Sequence, residues 1–450
     1  MKKIYDLIEE NKEYILTAER WLWSNPETGY KEFKTNKFMI DEFEKMGYKL
    51  TLADGITGFY TVVDTGNPGP TVLVLAELDS LINFQHPDHD KETGAVHNCG
   101  HHAQCAAMLG LAFALKQEGA LDGLCGKIKL CVVPAEEGIE IGYRKDLVEK
   151  GVIKFATGKP EFISRRYFDD VDVAFMMHTG EAKGNQKFYL TKGHNGNVRK
   201  FVTIKGKSAH AGGKPWDGIN ALNAASLALL SINSLRETFM ESEYARTHFI
   251  ITNGGEAVNT VPEQVTMEGY VRASNSISIK YISDIINRAI SSASATNGAI
   301  AYIQDIAGSE PLIEDENLRK VFEESCEELF GIDVYNYTDK WLSSSTDMGD
   351  ISVLFPSIHI YASGFKGAGH GVDYEIVDPY NVCVNTAKVE YKLLRNLLSN
   401  NAKKAKEVID AYTPTFRSVD EYLKHKESIE INKQTVIYND DGTITIDYKK

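Results

Sequence analysis

The chain has 450 residues, more than one ordinary hydrophobic core requires, and reads as two domains or as one domain carrying a large insertion. Its 43% hydrophobic and 25% charged residues are those of a soluble globular protein, and a net charge of -14 argues against nucleic acid or an anionic membrane as partner. No run reaches the roughly 18 to 20 apolar residues that span a bilayer, no apolar signal core follows Met1–Glu10, and the six cysteines form no CxxC pair, so reduced thiols in the cytoplasm are expected.

Residues 3–23 place Ile4, Leu7, Ile8, Tyr14, Ile15 and Trp21 at near-helical spacing, which predicts an amphipathic opening helix. A second helix is expected over Lys31–Met46, stopping before Gly47. The β-branched runs Gly58–Asp64 and Thr71–Ala76, separated by a Gly/Pro-rich turn, predict strand, loop, strand. Further strands are expected at Lys127–Val133 and Val171–Met177. Helical material lies between them, which gives an α/β class with the sheet covered on both faces. These runs lead into Glu77-Leu78-Asp79, into Glu136-Glu137 and into His178, and open α/β sheets place ligands at such carboxyl ends.

From about Gly193 the texture changes. A strand at Lys200–Lys205, a turn at 206–210, helices over Asn220–Leu235 and Ile277–Ala295, and strands at Phe249–Thr252 and Val265–Ala273 predict an α+β module of roughly 110 residues. Beyond Ser309 the first texture resumes, with a helix over Asn317–Phe330, a strand at Ile358–Tyr361 and a closing helix over Asn385–Leu398. The expected divisions are 1–192 and 307–410 for one domain, 193–306 for an inserted one, and 411–450 for an extension with a hairpin around Asn439–Gly442.

The densest group of soft and borderline ligands is H-N-C-G-H-H, residues 97–102. Gly100 permits a turn that sends Cys99 and His101 to one side; a turn merely rich in histidine and cysteine is the other reading. Glu136 and Glu137 would face opposite ways on a strand but can converge from an irregular turn, where one carboxylate can hold a metal and the other take a proton from water. Two solvated loop acids are the bland alternative.

In order, H-N-C-G-H-H, V-V-P-A-E-E-G, M-M-H, K-G-K-S-A-H-A-G, V-N-T-V-P-E and G-A-G-H-G resemble the zinc-type aminoacylase/carboxypeptidase family of metallopeptidases. Within it they are most similar to the bacterial amidohydrolase branch of indole-acetyl-amino-acid hydrolases, aminobenzoyl-glutamate hydrolases and related dipeptidases. The resemblance spans about residues 70–400. It implies a catalytic domain built on a mixed sheet covered by helices, with a smaller α+β lid and dimerisation domain inserted. It also implies that Cys99, His101, Glu137, His178 and His370 ligate two divalent metals, with Cys99 bridging, and that Glu136 is the general base. Asp79 would orient a ligand from behind, and Ser344–Asp347 resembles a segment preceding the last ligand. His210 would reach a partner subunit's site in a homodimer formed through 193–306, and Asn259 and Arg272 would hold the substrate carboxylate. The chain departs from the branch in four places: His102 follows C-G-H where Asp or Asn is usual, Gln104 replaces a frequent histidine, Glu77 stands where aspartate is usual, and Gly138–Arg144 replaces the glycine-rich stretch that commonly follows A-E-E.

The expected activity is metal-dependent hydrolysis of an amide in a small N-acyl amino acid or dipeptide-like substrate. Zinc is the default metal, with manganese, cobalt or nickel as alternatives. The rival readings are a hydrolase using Cys99 as nucleophile, which leaves Glu136, Glu137, His178 and His370 without a task, and a non-catalytic relative.

Overall fold

The computed structural model describes residues 3–182 and 184–449, and these divide into two compact units. The first comprises Met1–Lys192, Ile313–Lys340 and Asp350–Val419; the second comprises Gly193–Leu312, Trp341–Gly349 and Asp420–Lys450.

The first unit is built on a mixed nine-stranded sheet. Its order is Thr51–Leu52, Phe59–Asp64, Lys127–Val133, Thr71–Glu77, Val173–Glu181, Ser357–Lys366, Phe188–Leu190 and Tyr335–Tyr337, with Glu375–Ile376 pairing beside Ser357–Lys366. Four central strands run parallel, with Thr71 opposite Lys127, Val72 opposite Val173 and Ser357 opposite Ala174, so their carboxyl ends emerge together. Every residue of Thr71–Glu77 is buried, as a parallel strand covered on both faces requires. The helix His101–Leu115 is buried at every residue but Phe113, which explains why its sequence is apolar all round instead of amphipathic.

Three sequence expectations change in detail. The opening helix is two helices, Ile4–Glu10 and Lys12–Trp23, because Asn11 leaves helical geometry and its N–H closes the first one on Leu7 and Ile8. The strand expected to stop before His178 runs on to Glu181, since pairing with Ser357–Lys366 continues past the Tyr361–His178 pair. The closing helix starts at Thr386 after a π-helical turn, loses helical geometry at Ser399–Ala402, and resumes to Ala411; asparagine at 400 and 401 tolerates the left-handed backbone there. Among the described residues no helix is long and apolar enough to cross a membrane.

In the second unit an antiparallel sheet runs in the order Arg246–Asn253, Gln264–Ala273, Gly196–Lys205, Ile300–Ala307 and Ile431–Gln434. Burial alternates along Gly196–Lys205, the pattern of a sheet with one covered face. The helices Ala221–Leu235 and Ser276–Thr296 share its apolar core, each capped by an asparagine side chain, Asn220 or Asn275. The C-terminal hairpin pairs Val436–Tyr438 with Ile444–Ile446, and the residues before it add a helix, Val419–Ile429, and the edge strand Ile431–Gln434, neither of which was expected.

One feature of this core is ionic. Lys200 is fully buried and its Nζ donates to Asp305 Oδ2 at 2.7 Å, Asn287 Oδ1 at 2.8 Å and Ser283 Oγ at 2.7 Å. Breaking one partner of such a pair strands the other charge. Asp305→Ala is expected to destabilise the protein by about 3 to 5 kcal/mol, whereas Lys200→Met with Asp305→Leu restores most of the loss. Guanidinium unfolding of the three proteins checks this, and equal midpoints for the single and double variants would contradict it.

Candidate metal centre

At the carboxyl ends of the parallel strands the chain makes two sharp turns. Gly100 has φ of 95°, and a Cβ there would lie 2.0 Å from Thr179 Oγ1 and 2.6 Å from Tyr374 Oη, so only glycine fits. The turn starts the helix at His101 and leaves Cys99 beside it. After Lys127–Val133 the strand ends at Pro134, and Ala135 takes φ of 54°. That left-handed residue throws Glu136 and Glu137 out of strand geometry, so the two acids converge on one centre. His370 also has a positive φ, 64°, and its N–H donates to Asn98 O at 2.9 Å. Non-glycine residues in this region store strain, and such residues cluster at ligand sites.

The side chains form three overlapping groups. Cys99, His101 and His178 make one, Cys99, Glu137 and His370 a second, and Glu77, His101 and Glu136 a third; within each group the donor atoms lie within 4.8 Å of one another. Cys99 belongs to the first two and thus joins them. Cys99 Sγ is 3.5 Å from His178 Nε2, and His370 Nε2 is 3.2 Å from Glu137 Oε1. Two donors that each sit about 2.0 to 2.3 Å from one ion are about 3.0 to 3.5 Å apart, so these separations suit a shared cation. The orphaned atoms agree: His101 Nε2 and Glu137 Oε1 are buried and make no hydrogen bond.

The surroundings orient these donors. His101 Nδ1 lies 2.8 Å from the main-chain O of Asp79 and His178 Nδ1 lies 2.8 Å from that of Thr179, which turns both Nε2 atoms towards the centre. Asp79 Oδ2 accepts the N–H of Glu137 at 2.9 Å, and Asp79 Oδ1 lies 3.2 Å from His101 Nδ1, so one buried carboxylate braces two donors. Glu32, wholly buried, accepts the Ala135 N–H at 2.8 Å and the Thr57 hydroxyl at 2.6 Å, which fixes the strained corner.

Electrostatically the centre is short of positive charge. Burial and then the neighbouring Asp79 push the Glu32 carboxyl up. Burial, followed by Glu137, likewise pushes the Cys99 thiol up against the opposing pull of His101 and His370. Contacts with Cys99 and Glu137 raise His370 to about 10. For Glu77, burial acts upward but is outweighed by Lys159, His101 and His178, which hold the carboxyl well below its usual range. A raised thiol is the reverse of what a free cysteine nucleophile needs, whereas a bound cation would supply the missing charge.

The remaining sequence candidates lie in the second unit. His210 and Asn259 share a pair of facing loops: His210 bridges Thr260, and the Ala211 N–H donates to Asn259 O at 2.9 Å. His210 is exposed, and its Nδ1 accepts N–H bonds from Gly212 at 3.2 Å and Gly213 at 2.9 Å, so its proton resides on Nε2. Arg272, on the Gln264–Ala273 strand, donates to Ser343 O at 3.0 Å and lies over the Tyr270 ring. Ser344 Oγ lies 2.9 Å from His194 Nδ1.

Sequence reasoning missed Glu32 and Lys159 and left Gln104 and Glu77 as departures without a role. Gln104 Nε2 donates to Glu77 Oε2 at 2.9 Å, and Lys159 Nζ pairs with Glu77 Oε1. His102 faces elsewhere, 3.1 Å from Glu19 Oε1 and edge-on to Trp23. Only the helical spacing of His101 and Gln104 could have signalled that both reach Glu77.

Residues 73–396 match the description Peptidase family M20/M25/M40. An Arabidopsis thaliana protein named IAA-amino acid hydrolase ILR1-like 5 is 27% identical over 73% of this chain and 73% of its own length. The human Xaa-Arg dipeptidase is 28% identical over 79% of this chain and 78% of its own. Among solved structures, a Bacillus subtilis protein described as a dinuclear metal binding peptidase from this family superposes with a TM-score of 0.67 at 18% identity, covering 87% of this chain and 99% of that one, which supports the fold. With a family match across most of its length, a mixed sheet, and clustered cysteine sulfur, imidazole and carboxylate donors at its carboxyl ends, the chain belongs to peptidase family M20/M25/M40 and is a metal-dependent peptidase or amidohydrolase.

Proposed function

We propose that the chain hydrolyses an amide bond in a small N-acyl amino acid or dipeptide-like substrate, using two divalent metal ions. The observation that carries this reading is the sharing of Cys99 between two donor triads, one completed by His101 and His178, the other by Glu137 and His370. Relatives named for amino-acid conjugates and dipeptides support the substrate class. Zinc suits a thiolate, imidazole and carboxylate donor set, and manganese, cobalt or nickel would fit the same atoms. Six cysteines free of disulfides accord with a reducing cytoplasm.

When bound, the ions lower the pKa of water and polarise the scissile carbonyl. Glu136, half-buried and grouped with His101 and Glu77, takes the proton of the attacking water and returns it to the departing amine. Asp79 keeps His101 and Glu137 in position throughout. His210 presents its Nε2–H to the developing oxyanion, a polarity fixed by the two N–H groups on Nδ1. Asn259 and Arg272 receive the substrate carboxylate. In this reading residues 193–306 act as lid and dimerisation domain, the segments 1–192 and 307–410 form the catalytic domain, and His210 serves the site of a second copy in a homodimer.

Purified protein is expected to carry close to two divalent ions per chain and to lose activity on exhaustive chelation. Metal analysis beside an assay over N-acyl amino acids, dipeptides and aminobenzoyl-glutamate checks both, and full activity in metal-free protein would refute the reading. The adjacent acids should fail differently. Glu136→Gln keeps the metals and loses several orders of magnitude in turnover, whereas Glu137→Gln also lowers metal occupancy.

His210→Ala is expected to keep both metals while kcat falls by roughly 10² to 10³, the usual loss for one oxyanion donor. Mixing it with Glu136→Gln under subunit exchange should restore up to about a quarter of wild-type activity, because only the mixed dimer assembles one complete site. Exchange verified by mass with no return of activity would place His210 in its own subunit's site or outside catalysis.

A further inference from the structure

We propose that Arg144 is a positioning residue for the Glu136–Glu137 corner: its buried guanidinium, packed against Gly29 and tied to Ala156, keeps the left-handed Ala135 in the geometry that sends both acids to the metal centre. The inference rests on the reading of Glu136 as base and Glu137 as ligand.

Arg144 lies on the helix Ile141–Glu149, within the stretch that departs from the family's glycine-rich one, and is 1% exposed. Its Nη1 donates to Ala156 O at 2.6 Å, whereas Nε and Nη2 are buried and make no hydrogen bond. Among the described residues no carboxylate forms an ion pair with it. Glu140, one turn earlier, feels its charge but is paired with Lys31 at 2.6 Å. A guanidinium is thus sealed beside the small apolar cluster of Tyr30, Ala135 and Ile153 with one neutral acceptor. Burying charge in this way costs stability, and a chain that keeps it has a use for it.

The use is legible in the surrounding backbone. Three non-glycine residues with positive φ border the guanidinium: Tyr30 at 62°, Ala135 at 54° and Glu140 at 50°. Such strain persists only where the surroundings fix it, and it gathers at functional sites. A Cβ built on Gly29 would lie 2.4 Å from Arg144 Nη2 and 2.8 Å from Ala135 Cα, so this glycine lies against both the guanidinium and the corner. The segment 155–158 is pinned from both sides. Tyr30 Oη donates to Phe155 O at 3.0 Å, Arg144 takes Ala156 O, and the Gly158 N–H donates to Ala135 O at 3.1 Å. Arg144 therefore braces Ala135 twice, through Gly29 and through the segment that holds the Ala135 carbonyl. Glu32 fixes the N–H of the same residue. Released from this hold, Ala135 can relax towards strand geometry, in which Glu136 and Glu137 point apart.

The test separates positioning from packing by sign. Arg144→Met fills the apolar surroundings without charge, and Ala156 is half-buried, so water can replace the lost donor. Unfolding of the metal-stripped variant is expected within about 2 °C of wild type or above it, because replacing a buried charge by an apolar side chain is often neutral or stabilising. Zinc affinity, titrated against a chromophoric chelator, should nevertheless fall about 10-fold, and kcat on the best amide substrate by roughly 10- to 100-fold. A variant that keeps both wild-type zinc affinity and kcat would overturn the proposal. So would losses accompanied by a midpoint lower by more than about 5 °C, which would make Arg144 a packing residue. If Arg144→Met does not fold, Arg144→Lys, which keeps the charge but loses the planar fork, decides by the same criteria. A wild type that binds zinc but cleaves no amide would refute the functional reading and leave the zinc titration to decide on Arg144. A wild type that binds no zinc would overturn the two-metal reading, and this inference with it.

Discussion

The structure turns on the burial of carboxylates in one place. Glu32, Glu77, Asp79 and Glu137 are all at most 9% exposed, and their groups meet at the carboxyl ends of the same parallel strands. Low-dielectric surroundings penalise each anion, so every one must be matched by donors or by positive charge. Asp79 is matched by the Glu137 N–H and by His101, Glu32 by the Ala135 N–H and Thr57, and Glu77 by Lys159 and Gln104. Glu137 has only His370 and its neighbours, and its Oε1 makes no hydrogen bond. A divalent cation closes that account, which is why the fold and the metal reading support each other.

Bringing the donors together requires backbone that regular structure does not supply. A strand alternates its side chains, so adjacent Glu136 and Glu137 would point apart. The left-handed Ala135 removes the alternation, Gly100 does the same where the strand-rich segment becomes a helix, and His370 sits in a third such corner. Each is tied down by partners from distant segments. Glu32 holds Ala135 across more than a hundred residues, and Asn98 O accepts from His370. Strain of roughly 1 to 3 kcal/mol per residue survives only where the surroundings fix it in this way.

Much of this was legible in the sequence, and the part that was not has a physical reason. The parallel strands announced themselves as uninterrupted β-branched runs, and the groups that converge could be named because they sit in short motifs with turn residues at fixed offsets. The α/β class with an inserted α+β portion followed from the change in texture near Gly193. Lys159, Glu32 and Lys200 were invisible because a buried charge and a solvated one look alike in a sequence; only the partner, 82 residues away for Lys159 and 105 for Lys200, distinguishes them. The break at Asn11 was missed because the apolar spacing runs through it, and the edge strand Ile431–Gln434 because an edge needs little hydrophobic pattern to pair.

The departures at 77, 102 and 104 make sense as a set. On a helix beginning at His101, Gln104 lies one turn along on the same face, whereas His102 is rotated away by about a quarter turn or more. His101 and Gln104 both reach Glu77, one through its metal-facing nitrogen and the other through its amide. His102 instead meets Glu19 and Trp23 of the second helix, with His97 at a ring separation of 5.2 Å. A glutamine on Glu77 donates one hydrogen bond and adds no charge, so the carboxylate stays anionic beside Lys159. A longer acid, an uncharged amide and a buried lysine thus compensate one another at the strand end, and His102 with Glu19 docks the same helix to the N-terminal layer. The residues that differ from the family pattern rebuild the support around His101 without replacing it.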